Sequence, residues 1–148
     1  MAVKPVPDGF HTVTPCLVVP RVTSLLDFLR QAFDAQEIVS PMLRPDGSVG
    51  HAEVKIGDSI VMLGEPMGDM SPMPGSIYLY VSDTDAVYQR ALQAGATSLM
   101  EPADQFYGDR SAGVKDLVGN QWLIATHQED VPPDELLKRA KAAGLQPR

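Results

Sequence analysis

Two apolar stripes at helical spacing punctuate the chain. The first is Leu25, Leu26, Phe28, Leu29, Ala32 and Phe33; the second is Ala86, Val87, Tyr88, Ala91 and Leu92. Residues recurring at i, i+3 and i+4 share one face of a helix, so each stripe predicts an amphipathic helix. Thr23 or Ser24 can cap the first, because a hydroxyl can accept the free N–H groups of a first turn; Asp83 or Thr84 can cap the second. The segments around them are rich in β-branched and apolar residues. Strands are predicted at Thr12–Val19, Gln36–Leu43, Ser76–Val81 and, more briefly, Thr97–Met100, with Pro102 opening a loop.

Two hairpins complete the pattern. One spans Gly50–Gly64 and turns near Gly57-Asp58. The other joins Arg110–Lys115 to Gln121–Thr126 through Asp116-Leu117-Val118-Gly119-Asn120. Ala112-Gly113-Val114-Lys115 matches Ala52-Glu53-Val54-Lys55, and Phe28–Phe33 answers Val87–Leu92. The order βαβββ therefore occurs twice. A repeated unit that cannot cover its own sheet must pack on a partner copy. The fold class is α+β, built of two βαβββ repeats. A short C-terminal helix follows, with Pro133 at its first position, Asp134 and Glu135 in its first turn and Gly144 after its end.

Strand alternation sorts the side chains by face. Thr12, Thr14 and Cys16, then Ile60 and Met62, then Ser76, Tyr78 and Tyr80, then Gln121, Leu123 and Ala125 fall on one face, the inner one when helices cover the other. Leu17, Val19, Val61, Leu63, Ile77, Leu79, Val81, Trp122 and Ile124 face the helices. The inner set is apolar and aromatic with a few hydroxyls, as a small-molecule pocket requires. The candidate ligand-binding residues are Thr14, Cys16, His51, Glu53, Met62, Ser76, Tyr78, Tyr80, Gln121 and Leu123. His51 and Glu53 stand two apart on one strand and so share a face. They are the candidate catalytic pair, Glu53 as base or acceptor and His51 as its partner; the bland alternative is a solvated edge of the sheet.

Other chemistry-bearing residues read more simply. Asp109 and Arg110 suit an ion pair at a loop-to-strand junction, or Arg110 binds an anion. Cys16 is expected to be a small buried residue, His11 to lie at a surface or interface, and His127 to be structural. Met67, Met70 and Met73 are three apart. Thioethers at that spacing can hold Cu(I), but the Gly- and Pro-rich loop around them favours a flexible apolar lid or dimer contact.

The Tyr107-Gly108-Asp109-Arg110, Gly119-Asn120-Gln121-Trp122 and Ala125-Thr126-His127 motifs, closing two βαβββ halves, resemble the vicinal oxygen chelate superfamily. That group includes glyoxalase I, extradiol dioxygenases, and fosfomycin and bleomycin resistance proteins; the small PhnB-like members are the most similar. The resemblance implies that the two βαβββ repeats form a cupped mixed sheet with helices outside, in a domain over 11–127, with half one at 11–64, a linker at 65–75 and half two at 76–127. It leaves 1–10 as a Pro-rich lead-in and 128–148 as the C-terminal helix and tail. Metal-using members take ligands from the first and last strands of each half. Those positions hold Thr14, Met62, Ser76 and Leu123, or after a one-residue slip Val13, Val61, Ile77 and Trp122. Neither set offers the imidazole, carboxylate or thiolate that zinc, nickel or iron prefers. No metal and no other cofactor is expected.

Composition narrows the partners. The formal net charge is −7 over 148 residues, which leaves no basic patch for nucleic acid or an anionic membrane. Cys16 is the single cysteine, so no intrachain disulfide forms. No leader or membrane-length apolar run is present, and the expected location is the cytoplasm. The expected partners are a small-molecule ligand and, in a homodimer, a second copy of the chain. Three functions stay open: a metal-free receptor for a small apolar or aromatic compound, an enzyme of lyase or isomerase type using His51 and Glu53 or an atypical metal site, and an interaction module with a self-filled cavity.

Overall fold

The computed structural model describes residues 2–148. The first half runs β1 (Cys16–Val18), α1 (Val22–Phe33), β2 (Gln36–Leu43), β3 (Val49–Ile56) and β4 (Ser59–Gly64). The second runs β5 (Ser76–Tyr80), α2 (Thr84–Gln93), β6 (Thr97–Asp104), β7 (Asp109–Lys115) and β8 (Gln121–His127); α3 (Pro133–Ala142) follows. Each half is a four-stranded mixed sheet, in the order β1-β4-β3-β2 and β5-β8-β7-β6. In both, the first strand lies parallel to the last and the other pairs are antiparallel. The βαβββ repeat read from the sequence is thus the architecture.

The alternation of faces is as the sequence predicts. Leu17, Val19, Val61, Leu63, Trp122 and Ile124 are buried, and Ile77, Leu79 and Val81 pack half-buried against the same cluster. α1 contributes Val22, Leu25, Leu26, Phe28, Leu29, Ala32 and Phe33. Burying a side chain of this size stabilises by about 1.5–3 kcal/mol before the entropy cost of ordering it. The two halves share one core, within which Phe33 stacks on Trp122 at 5.0 Å. Arg90 of α2 clips the end of α1 by donating to the Ala32 carbonyl at 2.7 Å. Both sheets therefore turn their helix-facing sides toward one interior and leave their other sides open.

The β7–β8 turn is held by one carboxylate. Asp116 is 5% exposed and accepts from four donors: the Val118 and Asn120 amides, Asn120 Nδ2 and Trp122 Nε1, at 2.9–3.0 Å. Asn120, fully buried, accepts in turn from the Gly75 amide at 2.8 Å, which fixes the start of β5. Gly119 takes a positive φ of 98° in this turn, a conformation glycine adopts without a Cβ clash.

Several local expectations are corrected. α1 starts at Val22 without a Thr23 or Ser24 cap; Arg21 precedes it at φ 54° and spends its guanidinium on the Leu117 carbonyl at 2.7 Å. β1 is short, because Thr14 Oγ1 bonds back to the His11 carbonyl and Pro15 has no N–H to offer the ladder. Pro5, Val6, Pro7 and Phe10 of the largely exposed lead-in line a pocket together with Glu53 and Met62 on the open face of the first sheet. β6 runs on through Pro102 to Asp104, since an edge strand loses no ladder bond to a proline.

Removing the Asp116 carboxylate leaves four buried donors short of a partner. Asp116→Ala is expected to lower stability by about 3–5 kcal/mol, read as the urea midpoint of unfolding. A loss under about 1 kcal/mol would show that the turn holds its geometry without the carboxylate.

Candidate functional site

The open face of the second sheet carries a cluster centred on Asp109. Asp109 begins β7, in register with His127 at the end of β8. Its side chain is 3% exposed. Oδ2 accepts from the hydroxyls of Tyr78 at 2.8 Å and Tyr80 at 2.9 Å, and Oδ1 pairs with His127 Nδ1 at 2.8 Å. The Tyr107 hydroxyl lies 3.3 Å from that of Tyr78. Tyr78 and Tyr80 alternate with Leu79 along β5, so both rings stand on one face, with centroids 5.2 Å apart. Gly108, at φ 100°, lets the following chain pass closely: its carbonyl accepts from the amides of Gln128 and Glu129. That passage brings Asp130 to 2.7 Å from His127 Nε2.

Burial pushes the Asp109 carboxyl up, but hydrogen bonds from His127, Tyr78 and Tyr80 outweigh it and leave the group below its ordinary value. Asp109 and then Asp130 raise His127. Both ring nitrogens face a carboxylate oxygen, and both contacts are hydrogen bonds to carboxylates only when the ring is an imidazolium, the form that the raised value favours. Burial, then the neighbouring Tyr107 and Asp109, raise Tyr78; the bond to Asp109 is the main cause for Tyr80.

The first sheet's open face carries the pair chosen from the sequence. His51 Nε2 meets Glu53 Oε2 at 2.7 Å. A carboxylate can only accept, so Nε2 carries the hydrogen of this bond. Thr14, Glu53 and Met62 share a pocket of about 520 Å³ with the lead-in. Cys16 stands beside Met62 in register and is exposed, not buried as expected, because nothing covers β1 on that face. In the second half, Ser76 pairs with Gln121 and Tyr78 with Leu123.

A larger cleft, of about 650 Å³, opens between the start of the chain and β5. Phe33, Val61 and Trp122 line it, and it takes in Tyr78 and Tyr80 but not His51, Glu53 or Met62. Within one chain the two candidate groups remain on separate sheets.

Two readings change. Asp109 and Arg110 do not pair, because neighbours on a strand point to opposite faces. Arg110 holds Asp85 at 2.7 Å and Asp104 at 3.2 Å, while Asp109 joins the tyrosines and His127. The tyrosine–aspartate–histidine cluster itself is missed by local reasoning. The available signal was the shared inward parity of Tyr78, Tyr80 and Asp109.

The positions where the resemblance places metal ligands hold a hydroxyl at Thr14 and Ser76, a thioether at Met62 and a hydrocarbon at Leu123; Met62 pairs with Cys16, Ser76 with Gln121 and Leu123 with Tyr78. That donor set does not fit a zinc-like divalent ion. Among the described residues, no three His, Cys, Asp or Glu side chains group at metal-binding distance. Met67, Met70 and Met73 are 61%, 55% and 74% exposed, and Met73 is tied to Val18 by a backbone bond. No helix among the described residues is long and apolar enough to cross a membrane.

His127 offers a pH test. Its folded-state value lies above the ordinary 6.5, so its contribution to stability is full below about pH 6.5 and is lost as pH rises through the raised value. The stability gap between wild type and His127→Gln, from urea unfolding at stepped pH, is expected to be widest in acid and to close toward alkaline pH. A gap that widens as pH rises would contradict the imidazolium.

The chain was compared with known proteins once this geometry was in hand. The family model described as Glyoxalase/Bleomycin resistance protein/Dioxygenase superfamily matches residues 9–124. The uncharacterized protein Mb0911c of Mycobacterium bovis is 35% identical over 143 residues, covering 89% of this chain and 93% of its own. The uncharacterized protein Rv0887c of Mycobacterium tuberculosis is also 35% identical, with 84% of its length covered. Among solved structures, TioX from a Micromonospora species superposes with a TM-score of 0.61 at 24% identity, covering 78% of this chain and 95% of TioX. A superfamily member from Sphaerobacter thermophilus gives 0.62 at 19% identity, covering 78% and 96%. At such identities the structural likeness speaks for the fold alone. The match over most of its length, and the twin βαβββ sheets behind it, make this chain a member of the glyoxalase/bleomycin resistance protein/dioxygenase superfamily.

Proposed function

We propose that the protein is a metal-free receptor of the small, PhnB-like kind within its superfamily, binding an apolar or aromatic compound against its open sheet faces. The observation that carries this reading is the tyrosine face of the second sheet. Tyr80 is 62% exposed and Tyr78 is 39% exposed, yet both hydroxyls are held by a buried carboxylate. Aromatic side chains in water but fixed in place present a ready contact surface at small entropy cost.

A homodimer fits the same features. The helix-facing sides of both sheets meet in one core, so one chain cannot close its own open faces on each other. Ile38, Met42 and Leu43 on edge strand β2, and Leu99 and Met100 on edge strand β6, are exposed. Apolar side chains on uncovered edges mark pairing surfaces. In such a dimer the half-one face of one protomer closes over the half-two face of its partner, with Thr14, Cys16, His51, Glu53 and Met62 on one wall and Ser76, Tyr78, Tyr80, Gln121 and Leu123 on the other.

The His51–Glu53 bond of 2.7 Å favours a second reading. An imidazole oriented by a carboxylate can act as a general base in a lyase or isomerase reaction without metal.

Light scattering on the eluting protein is expected to give twice the 16.0 kDa of one chain. Elemental analysis of protein purified without added metal is expected to show no stoichiometric transition metal, and a thermal-shift screen of aromatic compounds is expected to find stabilising ligands. A metal lost in the His51→Ala, Glu53→Ala double mutant, or a screen without a single stabiliser, would overturn the receptor reading. Turnover abolished by His51→Ala with ligand binding kept would favour the enzyme.

A further inference from the structure

The polarity of hydrogen bonding on the tyrosine face selects among ligands. Each phenol has one proton. Tyr78 and Tyr80 both give theirs to Asp109 Oδ2. The Tyr78 oxygen, its own proton committed, can only accept from Tyr107 at 3.3 Å. All three protons thus run inward, toward one buried carboxylate. His127 adds no donor to the face, since Asp109 and Asp130 take both ring nitrogens. What points outward is phenolic lone pairs and the negative faces of the Tyr78 and Tyr80 rings. Arg110, the cation adjacent in sequence, is on the opposite side, bound to Asp85 and Asp104. Lys115 shares the face, six residues along β7 from Asp109 and about 20 Å away at strand rise; Arg90 lines the same cleft as Tyr78 and Tyr80, with its guanidinium given to the Ala32 carbonyl and Asp34.

We propose that this face is specific for aromatic or apolar amines, ligands that bring their own N–H donors and positive charge, and that it rejects carboxylates of the same shape. The proposal rests on the reading of the face as a small-molecule site and adds the ligand's chemistry. An ammonium group set between Tyr78 and Tyr80 finds two acceptor oxygens and two ring faces. A carboxylate there meets phenolic lone pairs, with Asp109 behind them.

Two isosteres test it: 2-naphthylmethylamine and 2-naphthoate share a ring system and carry opposite charge and hydrogen-bonding polarity. Isothermal titration in about 0.3 M salt, where long-range attraction to the acidic chain is screened, reads the local preference. The amine is expected to bind at least about tenfold more tightly than the naphthoate. In Tyr80→Phe, which keeps the ring and removes the outward oxygen, that ratio is expected to fall about three- to tenfold. The melting temperature of the variant checks that it folds, and Tyr78→Phe serves as the second variant. Naphthoate binding as tightly as the amine would overturn the proposal and leave the small-molecule site standing. A ratio unchanged in both variants would overturn it too, by placing the preference in net charge. Binding of neither compound would remove both the proposal and the site it rests on.

Discussion

The Asp116 carboxylate holds more of this structure in register than any other single group. Its four donors come from a turn, a buried amide and the indole of Trp122. Through Asn120 the same knot reaches Gly75 and sets where β5 begins; through Trp122 it reaches Phe33 and the shared core. Register on β5 is then fixed from both ends, because Val81 also donates to the Ala125 carbonyl. A slip of one residue would turn Tyr78 and Tyr80 toward the helices and bring Ile77 and Leu79 out. The polar face of the second sheet is in this sense a consequence of a carboxylate on its other end.

The two halves answer the same topological problem differently. The first sheet's open face is partly covered by its own N-terminal segment: Gly9 passes over Ile60, which is 5% exposed, and Phe10 reaches the pocket of Glu53 and Met62. The second has no such cover, and its tyrosines stay in water. Equal topology with unequal surfaces is expected of a fold that serves many chemistries, where function resides in the side chains placed on the sheet.

Much of this was legible in the chain because strands have a period of two and helices a period near three and a half. The helix-facing set, Leu17 to Ile124, needed only alternation, and the repeat needed only matching of Ala52–Lys55 with Ala112–Lys115. What escaped was contact between residues distant in sequence. Asp109 looked like a partner for the adjacent Arg110, whereas its partners lie 18, 29 and 31 residues away at His127, Tyr80 and Tyr78. The first helix looked capped by Thr23 or Ser24, whereas Arg21 precedes it and sends its guanidinium across 96 residues to Leu117. Local rules weigh neighbours; they do not weigh a hydrogen bond that exists only after two strands have paired.

The Asp109 cluster also shows how a buried charge can dictate surface chemistry. A carboxylate taken out of water is costly unless donors replace its hydration. No arginine or lysine reaches Asp109; an imidazolium and two phenols supply the donors. The imidazolium needs Asp130 on its far side, and Asp130 arrives there because Gly108 leaves room for the backbone of Glu129. Once the phenols are committed inward, their oxygens cannot donate outward without leaving Asp109 undersatisfied. The orientation of the protons is therefore set by the energetics of folding before any ligand arrives. A ligand at the proposed site would meet a fixed array of acceptors, and the proposed discrimination against groups that bring only acceptors would follow from the cost of freeing a proton that the buried charge already holds.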